Sequence, residues 1–341
     1  MTELSQQIEL IREEWGKRLL ILGHHYQRAS VVVHADETGD SLELARKSAA
    51  RPDAERIVFC GVHFMAESAD MLSGPEQTVY MPRTAAGCPM ADMATAEAMD
   101  VAWQDLSAHG ADWLPVVYVN STASIKALCG RYGGSCCTSS NAGKVFRWAL
   151  EQGKRILFLP DEHLGTNTAH DLGIPDADVA VYDPLQLRGG LSEAEMASAK
   201  VVVWKGFCLV HKAFTVEQVA RVREKLPEAK IIVHPESPKE VVRLCDAHGS
   251  TAEIIDYVNA AAAGETVVIG TELNLVQRLA ERHRGRLNIK ALKPSVCANM
   301  AKTDEQRLFE LLRDWPLSTV IHVDATVAAE ARLSLERMLA L

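Results

Sequence analysis

The sequence contains no block of Lys and Arg, no low-complexity tract and no apolar run long enough to span a membrane. Its net charge at pH 7 is -9, from 36 basic and 45 acidic residues, which argues against a nucleic-acid or membrane-surface partner. The amino-terminal stretch is polar and lacks the basic and apolar regions of a secretory signal. We therefore expect a cytoplasmic protein whose ligands are small molecules, with neither nucleic acid nor a membrane as partner.

The chain has eight cysteines but no C-x-x-C pair, which disfavours a zinc ribbon or a thioredoxin-type site. In a reducing compartment such cysteines are core residues, nucleophiles or metal ligands rather than disulfides. Cys60 and Cys245 lie in apolar patterns and are predicted to be core residues. Cys129, Cys136 and Cys137 surround a glycine-rich turn, and the sequence assigns them no role.

Short β-branched runs alternate with helical patterns along all 341 residues. Strands that alternate with helices and are apolar on both faces indicate an α/β fold with parallel sheets. At about 150 residues per domain, the length allows two or three domains. No P-loop and no G-x-G-x-x-G follows a predicted strand, so the sequence does not indicate a nucleotide cofactor.

A weak repeat divides the predicted elements into three similar units, each with a polar strand end, a hydroxyl-rich turn and a cysteine after its last strand. We predict αβα domains over 1–100, 101–207 and 208–314, with an insertion near 170–191. The carboxy-terminal helix, in 315–341, is expected to pack back on the first domain. Ligands of parallel α/β sheets bind at the carboxyl ends of strands. Three units around a pseudo-threefold axis would therefore share one central active site.

Three cysteines follow strand ends at matching places in the three units, namely Cys88, Cys208 and Cys297. Three thiolates suit an iron–sulfur cluster, whose usual full set is four, and the missing ligand would leave one iron open as a Lewis acid. His211, three residues after Cys208, is expected to support that ligand. Three buried thiols without a metal are the alternative.

The polar strand ends and turns supply candidate substrate-binding residues. His24 and His234 close strands, where a neutral imidazole serves as acid, base or hydrogen-bond donor. Ser250 and Thr251 precede a helical pattern whose free N–H groups attract a carboxylate or phosphate. Helix capping alone explains any one such turn, but three at equivalent places favour a polyanionic small substrate.

Segments along nearly the whole chain resemble the quinolinate synthase family, among them ILGHHYQ (21–27), VVYVNSTASIKAL (116–128), WKGFCLVH (204–211), HPESPKEV (234–241) and IGTELNLVQRL (269–279). The resemblance implies three αβα domains about a pseudo-threefold axis. It implies a transferase of de novo NAD biosynthesis that condenses iminoaspartate with dihydroxyacetone phosphate to quinolinate, phosphate and water. L-aspartate oxidase would supply the iminoaspartate.

By the same resemblance, the cofactor is a [4Fe–4S] cluster held by Cys88, Cys208 and Cys297, whose open iron would bind and polarise the substrate. Some family members carry C-x-x-C-x-x-C near the last ligand. Here Cys297 is the single cysteine of PSVCANMA, so a thiol switch of that kind is not available.

The resemblance also implies which residues bind the substrates and which transfer protons. The matching substrate-binding positions are His24, Ser41, Asn120, Ser139, His234, Ser250 and Thr251. Tyr26, Tyr118 and Glu236 match positions implied to transfer protons. We expect Glu236 to be the principal base, because a water-poor site beside a metal can raise a carboxylate pKa toward neutrality.

Two functions of other kinds stay open at this point. One is a zinc-type hydrolase that uses His24, His234 and Glu236, and the other is a non-catalytic protein that binds small anions. A protein purified without oxygen is expected to be brown if it holds an iron–sulfur cluster and colourless if it holds zinc.

Overall fold

A computed structural model describes residues 2–108 and 112–341, without the side chain of Leu42. The described residues contain three separate sheets. The strands are β1 (Leu19–His24), β2 (Glu37–Gly39), β3 (Arg56–Cys60), β4 (Thr78–Tyr80), β5 (Trp113–Tyr118), β6 (Ser135–Cys137), β7 (Arg155–Leu159), β8 (Val179–Tyr182), β9 (Val201–Trp204), β10 (Lys230–Val233), β11 (Ala247–His248), β12 (Thr266–Gly270), β13 (Asn288–Ala291) and β14 (Val320–Ile321).

Helices cover the faces of these sheets. They are α1 (Glu3–Trp15), α2 (Ala29–Val32), α3 (Ser41–Ala49), α4 (His63–Leu72), α5 (Pro89–Asp92), α6 (Ala96–Ser107), α7 (Ala123–Arg131), α8 (Ala142–Glu151), α9 (Glu162–Asp171), α10 (Glu193–Ser198), α11 (Val216–Lys225), α12 (Lys239–Val242), α13 (Thr251–Ala260), α14 (Leu273–Arg282), α15 (Glu305–Asp314) and α16 (Ala325–Ala340). Among the described residues, no helix is both long and apolar enough to cross a membrane.

The same order of four parallel strands occurs in each sheet. The orders are β2-β1-β3-β4, β6-β5-β7-β9 and β11-β10-β12-β13, so the first strand of each unit lies between the second and the third. Strands β1 and β5 are buried along their whole length, as expected for apolar runs covered on both faces. These observations confirm the predicted α/β class with several parallel sheets.

Two sheets carry one further strand. In the second sheet, β8 pairs in parallel with β9 at the edge. It lies within the predicted insertion at 170–191, between the 3-10 turns Asp176–Asp178 and Leu187–Gly190. In the first sheet, β14 pairs antiparallel with β4. The core order of four strands is therefore shared, and the extra strands account for differences at the edges.

The carboxy-terminal segment, predicted to pack on the first domain, reaches two sheets. Its strand β14 joins the first sheet, whereas α16 lies chiefly along α7 of the second. Ser334 on α16 donates a hydrogen bond to the carbonyl of Lys126 at 2.9 Å. Close packing here depends on Gly130, because a Cβ at that position would lie 2.0 Å from the carbonyl oxygen of Glu330. Helix α16 thus packs chiefly on the second sheet, although Arg332 of α16 also donates to the carbonyl of Met71 in α4 at 2.8 Å, so the predicted contact with the first domain is only part of its packing.

Helix α15 falls within the predicted third domain (208–314) but packs on the first sheet. Its Leu308 shares an apolar cluster with Ile8 of α1, and the hydroxyl of Ser5 donates to Glu305 Oε1 at 2.7 Å. The amphipathic helix can bury its apolar face against α1, which explains the difference from the predicted boundary. The division of the rest of the chain into three domains stays a prediction.

Candidate active site

A cavity of about 170 Å³ lies at the carboxyl ends of strands from all three sheets. The predicted site residues that line it are His24, Tyr26, Ser41, Cys88, Tyr118, Asn120, Ser139, Cys208, His234, Glu236, Thr251 and Cys297. Ser250 is not one of its lining residues. The fold thus gathers residues that are far apart in the sequence around one small space.

Strand register shows that most of these residues occupy equivalent positions in the three sheets. The four sets are His24, Tyr118 and His234; Tyr26, Asn120 and Glu236; Ser41, Ser139 and Thr251; and Cys88, Cys208 and Cys297. The first set ends or directly follows the first strand of each sheet, and the second set comes two residues later. This equivalence supports the predicted pseudo-threefold arrangement.

A repeated backbone hydrogen bond places the three cysteines equivalently. In each unit, the first residue of the helix that follows the third strand donates its N–H to the carbonyl two residues before the cysteine. These bonds join His63 to Ala86 at 2.8 Å, Glu162 to Gly206 at 2.9 Å and Leu273 to Ser295 at 2.8 Å. Backbone N–H groups two or three residues after each cysteine also favour its thiolate. Each sulfur therefore lies in a turn built to accept hydrogen bonds.

His24 and His234 adopt the same tautomer. The N–H of Tyr26 donates to Nδ1 of His24 at 3.1 Å, and the N–H of Glu236 donates to Nδ1 of His234 at 3.3 Å. Each Nδ1 is thus an acceptor, so the proton of the neutral ring lies on Nε2. Burial lowers the pKa of His24 well below its usual value and that of His234 to about 3. Both rings are therefore neutral hydrogen-bond donors.

The hydroxyls of the third set lie at helix starts. Ser41 and Thr251 are the first residues of α3 and α13, and Ser139 lies one turn before α8. Ser250 is the N-cap of α13, where its hydroxyl accepts the N–H of Glu253 at 3.3 Å and its own N–H donates to the Glu253 carboxylate at 2.7 Å. Thr251, rather than Ser250, is therefore the counterpart of Ser41 at the cavity.

Glu236 is a buried carboxylate at the centre of the polar network. Burial opposes its ionisation, but the attraction of the His211 ring and hydrogen bonds from His211 and Tyr118 outweigh burial and lower the pKa of Glu236. His211 Nδ1 lies 2.6 Å from Glu236 Oε2. The expectation that this pKa is raised toward neutrality is therefore wrong, because the donors of His211 and Tyr118 favour the anion.

A chain of hydrogen bonds connects the two candidate tyrosines through Glu236. Tyr118 bonds to Glu236 on one side. On the other, His211 Nε2 lies 3.1 Å from Thr271 Oγ1, which lies 2.9 Å from Tyr26 Oη. Burial and the Glu236 charge raise the pKa of both tyrosines well above 10, so both are neutral phenols. No sequence pattern singled out Thr271, whose role depends on contacts made by the fold.

Two further buried acids were missed by the sequence reasoning. Asp161 accepts the N–H of Cys208 at 3.2 Å, and Glu272 accepts the N–H of Cys297 at 3.4 Å. Burial raises the pKa of Asp161 well above its usual value and that of Glu272 to about 7. Both lie two residues after the third strand of a unit, and this common position is a signal that the sequence offered.

The chemistry of the donor set fits a soft metal group. Burial raises the pKa of the Cys88 thiol to about 12 and also raises the pKa values of Cys208 and Cys297. Such thiols stay protonated unless a cation compensates the thiolate charge, and a bound metal does so. Three cysteines that line one cavity, with backbone N–H donors in their turns, are therefore suited to an iron–sulfur cluster.

A closer group of potential ligands also occurs. Within residues 2–108 and 112–341, Cys208, His211 and Glu236 place their donor atoms within 4.8 Å of one another. The short bond between His211 and Glu236 explains much of this proximity. The group includes neither His24 nor His234, so the zinc-type site considered from the sequence is not favoured.

The fold and the cavity define an α/β enzyme with a thiol-lined site assembled from three largely parallel sheets. The family model described as Quinolinate synthetase A protein matches residues 6–340. Quinolinate synthase of Corynebacterium glutamicum is 48% identical over 99% of this chain and 87% of that protein. Quinolinate synthase of Bacillus subtilis is 47% identical over 99% of this chain and 93% of that protein. The chain belongs to the quinolinate synthase family, an enzyme family of NAD biosynthesis.

One solved structure with a weak likeness is the E-1-hydroxy-2-methyl-but-2-enyl-4-diphosphate reductase from Plasmodium falciparum. The alignment covers 94% of this chain and 86% of that one, with a TM-score of 0.28 and 12% sequence identity. A likeness at that level carries no argument about fold or function.

Proposed function

We propose that the protein condenses iminoaspartate with dihydroxyacetone phosphate to form quinolinate, phosphate and water, using a [4Fe–4S] cluster. The observation that carries this proposal is one cavity lined by four sets of equivalent residues from three sheets. Membership of the quinolinate synthase family supports it.

The cavity offers neutral donors to a substrate that carries carboxylate and phosphate groups. The Nε2–H groups of His24 and His234 and the hydroxyls of Ser41, Ser139 and Thr251 would bind these oxygens. Free N–H groups and the dipole at a helix start add attraction for an anion. This arrangement explains how a chain with net charge -9 can bind anionic substrates without a basic patch.

Asn120 completes the binding set. Within the described part of the chain, its buried Oδ1 has no hydrogen-bond donor. A buried acceptor that lacks a partner is costly, so a donor from the substrate would stabilise the complex. The imine N–H of iminoaspartate has the required chemistry.

The protonation states of Glu236, Tyr26 and Tyr118 indicate which of them would act as a base and which as acids. Glu236 is ionised and would accept a proton from a substrate carbon, whereas Tyr26 and Tyr118 are protonated and would donate to oxygens that leave as water or gain charge. The hydrogen-bond chain through His211 and Thr271 orients these groups relative to one another. Apolar lining residues such as Val62, Phe64 and Met65 would limit water around the reacting atoms.

Cys88, Cys208 and Cys297 would hold the cluster. When bound, the cluster supplies a Lewis acid at the iron that lacks a protein ligand. The three turns contribute hydrogen bonds to the sulfurs, which adjust the electron density of such a group.

Iron and sulfide analysis of anaerobically purified variants tests the cluster. We expect substitution of Cys88, Cys208 or Cys297 by Ala to abolish the cluster. Cys60→Ala and Cys245→Ala are the matched controls and should retain it, since those thiols do not line the cavity. A full complement of iron and sulfide in Cys208→Ala would reject the assignment.

An assay of quinolinate from the two substrates tests the reaction itself. Because an imine hydrolyses in water, we propose that L-aspartate oxidase supplies iminoaspartate and that both proteins act in the cytoplasm. Quinolinate should form only when the oxidase reaction and dihydroxyacetone phosphate are both present. A colourless protein that carries zinc and makes no quinolinate would instead favour the hydrolase.

A further inference from the structure

Asp161 and Glu272 occupy equivalent positions that the proposed mechanism does not use. Each is the N-cap residue of the helix after the third strand of its unit, α9 or α14. Both side chains are fully buried, with 0% exposure. The equivalent residue of the first unit is Val62, the N-cap residue of α4, which has no carboxylate.

Each carboxylate connects a helix start to a cysteine turn. In Asp161, Oδ1 accepts the N–H of Leu164 at 2.6 Å and Oδ2 accepts the N–H of Cys208 at 3.2 Å. In Glu272, Oε2 accepts an N–H in the first turn of α14 at 2.7 Å, and Oε1 accepts the N–H of Cys297 at 3.4 Å. One side chain thus holds two segments that are far apart in the sequence.

Helix capping alone does not explain this arrangement. Asp324 caps α16 from an exposed position, which shows that a helix start of this protein does not need a buried acid. Burying a carboxyl group is unfavourable unless its oxygens find hydrogen-bond partners. The contact that distinguishes Asp161 and Glu272 from a surface cap is the one to the cysteine amide.

We propose that Asp161 and Glu272 are positioning residues that hold the Cys208 and Cys297 turns in the conformation that binds the cluster. The turn of Cys88 is held by the shared backbone bond between His63 and Ala86, without a carboxylate. This inference rests on the cluster assigned above. It adds an asymmetry among the three cysteines. The backbone amides of Cys208 and Cys297 donate to buried carboxyl groups, and within the described residues that of Cys88 does not.

Two substitutions separate the cysteine contact from the cap. Asp161→Ser keeps a hydroxyl suited to an N-cap but removes the second oxygen, which contacts Cys208. Glu272→Gln keeps one carbonyl oxygen where the carboxyl group accepts from the backbone N–H groups of Asn274 and Cys297 and from Asn274 Nδ2. Asp324→Ser is the matched control, since it changes a cap that is remote from the cysteines.

Alkylation of the metal-free protein, followed cysteine by cysteine by mass spectrometry, measures how firmly each turn is held. We expect Cys208 to react about tenfold faster in Asp161→Ser, because loss of a hydrogen bond to a carboxylate makes local opening easier. Cys88 should react at the parental rate. In Glu272→Gln, Cys297 should show a smaller increase, since its contact is longer.

Iron release from the holoprotein to a chelator, measured without oxygen, gives a second readout. We expect release about tenfold faster from Asp161→Ser and a smaller acceleration from Glu272→Gln, as for other groups that orient metal ligands. Asp324→Ser should match the parent. If Asp161→Ser does not fold, Glu272→Gln decides the question through Cys297.

The two proposals fail in distinguishable ways. A parent protein without iron and sulfide would reject the cluster. A parent protein that holds the cluster, together with parental alkylation and iron-release rates in both variants, would reject the positioning role alone.

Discussion

The turns that follow β1 and β10 share one backbone arrangement but carry opposite chemistry. In both, a histidine ends or directly follows the strand, and the N–H two residues later donates to its Nδ1. That later residue is Tyr26 in the first unit and Glu236 in the third. The tyrosine is a neutral acid whose pKa is raised by burial and by Glu236, and the glutamate is an anion stabilised against its burial by His211 and Tyr118.

In the proposed mechanism, one backbone arrangement thus serves two catalytic roles. The backbone sets where a side chain enters the cavity, and the residue type and its neighbours set whether it gives or takes a proton. Asn120, the third member of the set, has a side chain that does not titrate in this range. Substitutions in the two turns separate the effect of the side chain that transfers a proton from the effect of the backbone contacts that position it.

The largest effect is expected for Glu236→Gln. The amide keeps the shape and a hydrogen bond but cannot accept a proton, so quinolinate formation should fall by about 10²–10⁴-fold. Iron and sulfide content should equal that of the parent, and this serves as the control. Near-normal turnover would remove Glu236 from the mechanism.

Tyr26→Phe and Tyr118→Phe should each lower kcat by about 10²-fold, because each removes one proton donor. We expect KM to change less than kcat, since the phenols are assigned to proton transfer rather than to anion binding. Steady-state kinetics at saturating substrates measures this split. A variant whose KM rises while kcat is unchanged would be a binding residue.

The buried histidines make stability depend on pH. His234 has a folded-state pKa of about 3 against an ordinary value of 6.5. Below pH 6.5 the unfolded chain binds a proton that the folded chain does not, so stability falls as the pH falls, by about 1.4 kcal/mol per pH unit for each such group. Urea denaturation of the metal-free protein between pH 7 and pH 5 measures this slope. His234→Asn should make it shallower, and an unchanged slope would contradict the assignment.

The smallest effect is expected for two aspartates that hold the backbone beside β1 and β10. Asp36 accepts the N–H of Ile21 at 2.7 Å, and Asp246 accepts the N–H of Ile231 at 2.7 Å, at equivalent places beside β1 and β10. Asp36→Ala and Asp246→Ala should each lower the free energy of unfolding by about 1–2 kcal/mol. Chemical denaturation of both variants compares them directly. Strongly unequal losses would show that the two turns are not held alike.

Much of the fold and the site composition could be predicted from the sequence. Apolar runs predicted the parallel strands, and polar residues immediately after them pointed to the strand ends that line the cavity. These signals are local, because a strand and the turn that follows it are adjacent in the chain. The resemblance to the quinolinate synthase family was confirmed by the family model and by the curated relatives.

Other features depended on contacts between distant segments. The lowered pKa of Glu236 comes in part from His211, which follows β9, whereas Glu236 follows β10 of a different sheet. The roles of Asp161 and Glu272 became visible once their oxygens were seen to reach the cysteine amides. Helix α15 could not be placed from its pattern, because an amphipathic face does not specify which sheet it covers.

The sequence by itself determined the α/β class, the family and the residue types that supply thiols, imidazoles, phenols and hydroxyls. The tertiary structure decided which of these residues are equivalent, which tautomer the histidines adopt and which acid is ionised. The physical reason is that composition and periodicity follow from neighbouring residues. Protonation and hydrogen-bond direction follow from burial and from groups that only the folded chain brings together.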